Sequence, residues 1–287
     1  MSQSNGSKDN QRPLILFTND DGIESPGLWA AVRAFKDLGD LLVVAPRDQQ
    51  SGMGRSMPRF LEGRIHEYTP QNIDLNGCAC TIYAVEASPA QCVQHGVVEL
   101  ADRLPSLVVS GINYGENTGN GVTISGTVGA ALEAASLDIP ALAVSLQTPF
   151  ELHLSYSDDV NFEPSAHFAR LFGSWLIEHR ARPDDVDVLK VDVPWEATGN
   201  TPWRITRISR RRVYWPTRPE RVALSDVGRM GYAPNTDPAQ AEPDSDVRAI
   251  MIDKVVSVSP MSLDMTSRTD LYRLRRILAG EWKYGGH

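Results

Sequence analysis

Five short apolar runs recur along the first two thirds of this chain, separated by segments of helical periodicity. That alternation restricts the fold more than any other feature. Leu14 to Phe17 (LILF), Leu41 to Pro46 (LLVVAP), Leu107 to Asn113 (LVVSGIN), Pro140 to Ser145 (PALAVS) and Val186 to Pro194 (VDVLKVDVP) read as buried strands. Between the first two, Leu28, Ala31, Val32 and Phe35 fall at i, i+3, i+4 and i+7, the spacing of one apolar helix face. Ser25-Pro26 supplies the N-cap and first residue of that helix, and Gly39 its stop. Ser88-Pro89 repeats the start signal, leading through Val93, Val97 and Leu100. Thr127 to Leu137 reads as a helix rich in small residues, and Ser165 to Arg180 as one rich in Phe, Leu and Trp. Strand–helix–strand units favour right-handed parallel crossovers. The expected class is therefore α/β: a Rossmann-like, doubly wound, mostly parallel sheet with helices on both faces.

Two stretches depart from the alternation. Ile73 to Val85 contains Asn76-Gly77, which predicts a hairpin turn between two strand-like runs. Residues 199–247 are broken by Pro, Gly and Arg, after which Met251 to Pro260 reads as a strand and Leu271 to Leu278 as a short basic helix. The expected organisation is a polar tail over residues 1–12 and a single domain over 13–287. Within that domain, 13–195 form the α/β core and 196–287 a β-rich extension used in oligomerisation, packed on or swapped between copies of the core.

Charge and cysteine content exclude several classes. The 287 residues carry 28 Lys+Arg against 36 Asp+Glu, a formal net charge of −8. A protein that coats nucleic acid needs a basic surface, so that class is set aside. No apolar run approaches the ~20 residues that span a bilayer, and the polar N-terminus lacks a secretory h-region. Cys78, Cys80 and Cys92 are odd in number and make no disulfide framework. A reduced, cytoplasmic protein without a membrane partner is expected.

In open α/β sheets, ligands bind beyond the carboxyl ends of the strands. Three such ends carry short oxygen-bearing side chains and glycines. After the first strand comes Asn19-Asp20-Asp21-Gly22, after the second Arg47 to Ser56, and after LVVSGIN a run through Asn117 to Ser125-Gly126-Thr127. Adjacent carboxylates repel, a cost that suits a hard divalent cation held by oxygen. The same four residues are also good Asx-turn chemistry. The glycine- and asparagine-rich loop ending in Ser125-Gly126-Thr127 opens a helix, and free N–H groups at a helix N-terminus cradle phosphate. No Walker A lysine and no G-x-G-x-x-G follows the first strand, so that fingerprint of NAD binding is missing. Ser51 could face inward and Arg55 reach a phosphate from a flap, or the segment could be a plain surface loop. Arg210-Arg211-Arg212 reads as a solvated or intersubunit run, and His95 and His167 as structural histidines.

FTNDDGIESPGL, VVAPRDQQSGMGRS, VVSGINYGENTGNGVTISGTVGAALEA and IPALAVS, in that order, resemble the SurE family of survival-protein nucleotidases. The resemblance spans most of residues 14–145 and resumes more weakly at ISRRRVYW and SDVRAIMIDKVVSVSPMSLDMT. It implies a divalent-metal-dependent phosphatase acting on nucleoside 5′-monophosphates, a 5′-nucleotidase that assembles as a homodimer or homotetramer. It also implies one divalent ion per subunit (Mg, Mn or Co), held by Asp20, Asp21, Ser51 and Asn113. Asp20 and Asp21 take the catalytic role, and Asn19, Asn117, Ser125, Gly126 and Thr127 bind phosphate and substrate. Water activated by the metal attacks phosphorus, or one of the two aspartates does. Gln91 stands in Ala87-Ser88-Pro89-Ala90-Gln91-Cys92 where many members carry an aspartate. Two rival readings are a broad acid phosphatase or exopolyphosphatase, and a catalytically silent nucleotide-binding regulator. The presence of every expected ligand weighs against the second.

Overall fold

The computed structural model of the protein describes residues 11–281, except 72, 76, 154, 158, 180–182, 235 and 236. Residues 1–10 of the expected tail, and Asn76 and Arg180, thus lie outside the described residues. A nine-stranded sheet forms the centre. In chain order its strands are β1 (Leu14–Thr18), β2 (Asp40–Pro46), β3 (Ile65–Glu67), β4 (Cys80–Val85), β5 (Leu107–Tyr114), β6 (Ala141–Leu146), β7 (Val188–Val193), β8 (Trp203–Ile205) and β11 (Val256–Met261). Across the sheet they run β3-β4-β2-β1-β5-β6-β7-β11-β8. The six from β4 to β7 are mutually parallel. β9 (Tyr214–Thr217) and β10 (Gly231–Pro234) form a separate antiparallel ribbon.

Continuous apolar runs make these strands because both faces of the sheet are covered. The pleat sends Ile15 and Phe17 of β1 to one side and Leu14 and Leu16 to the other. Ile15 and Phe17 pack with Leu28 and Phe35 around α1 (Pro26–Ala34), and with Phe168 and Phe172 of α4 (Glu163–Glu178). Leu14 and Leu16 pack with Val93 of α2 (Pro89–His95), and with Val128, Ala131 and Ala134 of α3 (Gly126–Ser136). The Ser-Pro starts hold: Ser88 and Gln91 close a reciprocal capping box at α2. No helix among the described residues is long and apolar enough to cross a membrane.

The hairpin expected around Asn76-Gly77 is replaced by a different pairing. Residues 73–75 form no strand, and Gly77, at φ +78°, sits in the turn that delivers β4 to the sheet. β4 runs parallel to β2, Cys80 opposite Leu41, and its antiparallel neighbour is Ile65–Glu67. A second free edge beside β2 rewarded a parallel strand more than a local ribbon would have. The extension also joins the core more closely than its broken sequence suggests. β11 pairs antiparallel with β7 and parallel with β8, widening the central sheet. The basic helix α6 (Leu271–Leu278) forms with the expected limits but buries none of its residues.

Candidate functional site

From β1 the chain winds one way to β2 and β4, and from β5 the other way to β6 and β7. The carboxyl ends of β1 and β5 therefore flank the switch point, where an open α/β sheet leaves a crevice. Asn19 to Gly22 leave β1 there. The Asn19 side chain is fully buried and closed on Gly22: Nδ2 donates to the Gly22 carbonyl at 2.9 Å, and the Gly22 N–H donates back to Oδ1 at 3.2 Å. Gly22 has φ +98°, which a residue with a Cβ rarely adopts. The turn chemistry thus resides in Asn19 and Gly22, and the adjacent carboxylates are presented by that turn.

Asp20 and Asp21 are both buried. The Thr127 hydroxyl donates to Asp20 Oδ1 at 2.5 Å. Asp21 Oδ2 accepts the Tyr114 N–H at 3.2 Å, and Oδ1 accepts Gln49 Nε2 at 3.3 Å. The Gln50 N–H donates to the Asp20 carbonyl at 2.7 Å, which brings the second loop alongside and leaves Ser51, exposed, as the next residue. Burial pushes the Asp20 carboxyl up, with Thr127 and the N–H groups of Thr127 and Gly126 holding it partly back. Burial, and then the charge of Asp20, push Asp21 well above the usual carboxylate range. No lysine or arginine is among the groups that offset either shift. Arg55 is held elsewhere, on Glu133 (2.7 Å) and Ser136 (2.7 Å) of α3, so the flap that would carry it to a phosphate is pinned to the helix.

Two buried like charges without a counter-charge fit a hard cation bound by oxygen. Among the described residues no group of three His, Cys, Asp or Glu could hold a metal ion, so neutral oxygens must complete such a site. Asn113 is suited to this. Its Nδ2 donates to the carbonyls of Tyr114 (3.1 Å) and Gly115 (2.7 Å), which leaves Oδ1 as the atom to offer a cation. The β5–β6 register shifts between Ser110 and Asn113, and this irregularity re-aims the end of β5 at the crevice.

The segment expected to bind phosphate is built from a short 3₁₀ turn (Gly119–Thr123) and the start of α3. Ser125 Oγ accepts the Val128 N–H at 3.1 Å, so this hydroxyl caps the helix. A Cβ on Gly126 would lie 2.7 Å from Asp20 Cβ and 2.8 Å from its Oδ2. Gly126→Ala is therefore expected to displace the Asp20 carboxylate and lower kcat/KM by about 10²-fold, the cost of roughly 1 Å of misplacement. Steady-state kinetics beside a melting curve checks this, and a variant with unaltered kinetics would contradict the close packing. Asn117 is fixed at both ends: its N–H donates to Asp192 Oδ1 (2.8 Å) and its Nδ2 to Ser145 Oγ (2.9 Å).

The residues that hold this loop were not anticipated. Lys190 of β7 is fully buried and donates to Asp192 Oδ2 and, at 3.2 Å, to Asp246 Oδ2. Asp246 also accepts the N–H groups of Gly119 (3.0 Å) and Ser209 (2.9 Å). Lys190-x-Asp192 inside an apolar run was the available signal, because residues two apart share a strand face. Nothing near Asp246 in the chain points to it.

Glu116 is a further buried carboxyl at this loop, accepting the Tyr214 hydroxyl at 2.6 Å. Burial pushes it up to about 7, with Asp192 adding to the rise and Tyr214 and Lys254 opposing it. Its folded pKa exceeds its unfolded one, so it contributes stability that is complete below pH about 4.5 and lost as pH rises through about 7. Glu116→Gln keeps an acceptor for Tyr214 and removes the titration. Relative to wild type it is expected to gain about 3 kcal/mol between pH 4.5 and 8. Melting curves across that range test this, since the other buried carboxylates are common to both proteins; parallel curves would refute it.

Fold and site together define a doubly wound α/β protein whose switch-point crevice presents two uncompensated carboxylates beside a helix N-terminus. The family model for Survival protein SurE matches residues 15–214. A protein named 5′-nucleotidase SurE from Thermococcus gammatolerans is 39% identical over 273 residues, covering 93% of this chain and 96% of that one. One of the same name from Methanocella arvoryzae is 38% identical over 273 residues, covering 93% and 98%. The crystal structure of the SurE protein from Aquifex aeolicus superposes with a TM-score of 0.71 at 30% identity, covering 93% of this chain and 100% of that one. The chain belongs to the SurE family.

Proposed function

We propose that this protein is a metal-dependent 5′-nucleotidase that hydrolyses nucleoside 5′-monophosphates. The observation that carries the reading is the buried, adjacent Asp20–Asp21 pair, with no cationic side chain among its hydrogen-bond partners, beside the start of α3. The relatives named 5′-nucleotidase SurE supply the substrate class.

Asp20, Asp21, Ser51 and Asn113 hold one divalent ion per subunit, of the Mg, Mn or Co type. When bound, the ion supplies positive charge against the phosphoryl oxygens and acidity to a water. The positive end of α3 and the second Nδ2 hydrogen of Asn117 serve the charge on the remaining phosphoryl oxygens, already oriented before the transition state develops. Asn19 positions the turn, and Thr127 positions Asp20 with its hydroxyl and its N–H at the start of the phosphate-facing helix. A carboxylate oxygen of Asp20 or Asp21 takes the proton of the attacking water and returns it to the departing 5′-oxygen.

Phosphate release from 5′- and 3′-mononucleotides in Mg, Mn or Co, with and without chelator, tests the reading. Hydrolysis of 5′-nucleotides that stops with chelator is expected; turnover indifferent to chelator, or none with any cation, overturns it.

The same reading includes assembly into homodimers or homotetramers through the extension. Support comes from α6, which buries none of its residues and exposes Leu271, Tyr272 and Leu278, and from the exposed Val222, Leu224, Val227 and Met230 between β9 and β10. Exposed apolar side chains in such numbers mark interaction surfaces. Light scattering on the purified chain decides this: a monomer at micromolar concentration would rule assembly out.

A further inference from the structure

The ribbon of the extension contributes aromatic rings to the crevice that neither hydrophobic layer absorbs. Tyr214 of β9 and Tyr232 of β10 lie 5.7 Å apart, edge to face, and Phe150 approaches them at 6.4 and 5.3 Å. His153 closes the cluster from behind, 5.4 Å from Phe150 and 5.8 Å from Tyr214. Phe150 and Tyr232 belong to neither core layer, and each remains 41% exposed. An ordinary satellite cluster would turn such faces inward.

Three links tie these rings to the carboxylate pair. Tyr214 donates to Glu116, which precedes Asn117 in the substrate loop. The phenol of Tyr232 is raised by burial and then by the carboxylate of Asp21, so ring and carboxylate lie within electrostatic reach. Tyr156, on the segment that follows Phe150, donates from its hydroxyl to the Asp21 carbonyl at 2.5 Å. A nucleotide has one charged end and one flat apolar end, joined by a sugar. The carboxylates and α3 serve the first. Exposed rings at the rim of the same crevice offer the second a stacking surface, and every base has a π face to place on it.

We infer that Phe150, Tyr214 and Tyr232 form the wall on which the nucleobase rests, with Tyr232 and Phe150 as the contacting rings and Tyr214 held in place by Glu116. The extension is then part of the substrate site as well as an assembly element, and it makes the phosphatase prefer nucleotides to simple phosphate esters. This inference rests on the phosphatase reading above.

The test compares a purine 5′-mononucleotide with ribose 5-phosphate, which keeps sugar and phosphate and lacks the base. Tyr232→Ala and Phe150→Leu are assayed beside Tyr232→Phe, each with a melting curve and a light-scattering mass. Expected results are a rise of about tenfold in KM for the nucleotide with Tyr232→Ala, of the size base–aromatic stacking supports. Ribose 5-phosphate should change by less than twofold, and Tyr232→Phe should retain most of the preference. Equal losses on both substrates, a wild-type enzyme that does not distinguish them, or a change in mass with the preference intact would overturn the inference alone. A wild-type protein inactive on both phosphates overturns the phosphatase reading and this inference with it.

Discussion

Asp21→Asn is expected to abolish phosphatase activity while making the metal-free protein more stable. Both effects have one cause. In the folded chain burial and the neighbouring Asp20 disfavour the charged form of Asp21, so its folded pKa lies above its unfolded one. The stability it contributes is complete below the unfolded pKa and lost as pH rises toward the folded pKa, so at every pH above the unfolded pKa the apo protein bears a cost. Asparagine removes the charge and the repulsion on Asp20 together. A rise of ~3 °C in melting temperature is expected, the shift that about 1 kcal/mol produces in a chain of this size. Activity should fall by at least about 10³-fold, because a lost metal ligand forfeits several kcal/mol of charge stabilisation in the transition state.

The sister substitution Asp20→Asn separates burial from wiring. Asp20 accepts the Thr127 hydroxyl and faces the N–H groups of Gly126 and Thr127. An amide nitrogen turned toward those donors has nothing to accept with, whereas at position 21 the Gln49 amide can turn its oxygen to an asparagine, so the stability gain should be smaller than for Asp21. Added divalent cation should raise the melting temperature of wild type and leave both variants unmoved. A wild-type melting curve indifferent to cation, or an active Asp21→Asn enzyme, would remove the carboxylate pair from the mechanism.

The core of the fold was readable because its signals are local. Leu14 to Phe17 and Leu41 to Pro46 are apolar on both faces, which only a covered parallel sheet rewards. The Ser-Pro pairs then placed the starts of α1 and α2 to the residue. Asn76-Gly77 misled because a turn signal names a reversal and leaves open which strand the chain then meets. Cys80–Val85 found a free edge beside β2, and a three-residue strand more than a dozen residues upstream took the antiparallel place. The strand read at Met251 to Pro260 forms as Val256–Met261, but its place beside β7 and the pairing of β8 with it were hidden, because both pairings are non-local.

The site divides along the same line. Asp20, Asp21, Asn113 and the Ser125–Thr127 helix start follow strands at the expected end of the sheet, and the structure brings them together. Ser51 arrives beside Asp20 through the Gln50 N–H but remains exposed. Asn19 shows the limit of residue-type reasoning, since an amide can serve a ligand or close its own turn, and here both of its ends are spent on Gly22. Gln49, Tyr156 and Tyr232 reach Asp21 from separate parts of the chain, with no spacing that connects them.

Lys190→Met should cost about 3–5 kcal/mol of stability and also weaken turnover, although Lys190 touches no expected ligand of metal or phosphate. Burial pulls its ammonium down, but Asp192 and Asp246 outweigh that and hold it charged. Asp192 is raised by its own burial even with the lysine beside it. Removing the one cation leaves two buried carboxylates, the situation in which breaking a buried ion pair is most damaging. For a chain of this length the melting temperature should fall by roughly 10 °C. The effect on turnover follows from what the carboxylates hold. Asp192 receives the Asn117 N–H and Asp246 the Gly119 N–H, so the substrate loop hangs from the pair that Lys190 neutralises. Combining Lys190→Met with Asp192→Asn should recover part of the stability, because the excess negative charge is halved, while the weaker acceptor left for Asn117 keeps KM for the nucleotide raised. A purely structural triad would instead let kinetics recover together with the melting temperature. If Lys190→Met melted within 2 °C of wild type, the buried triad would not be holding the loop at all.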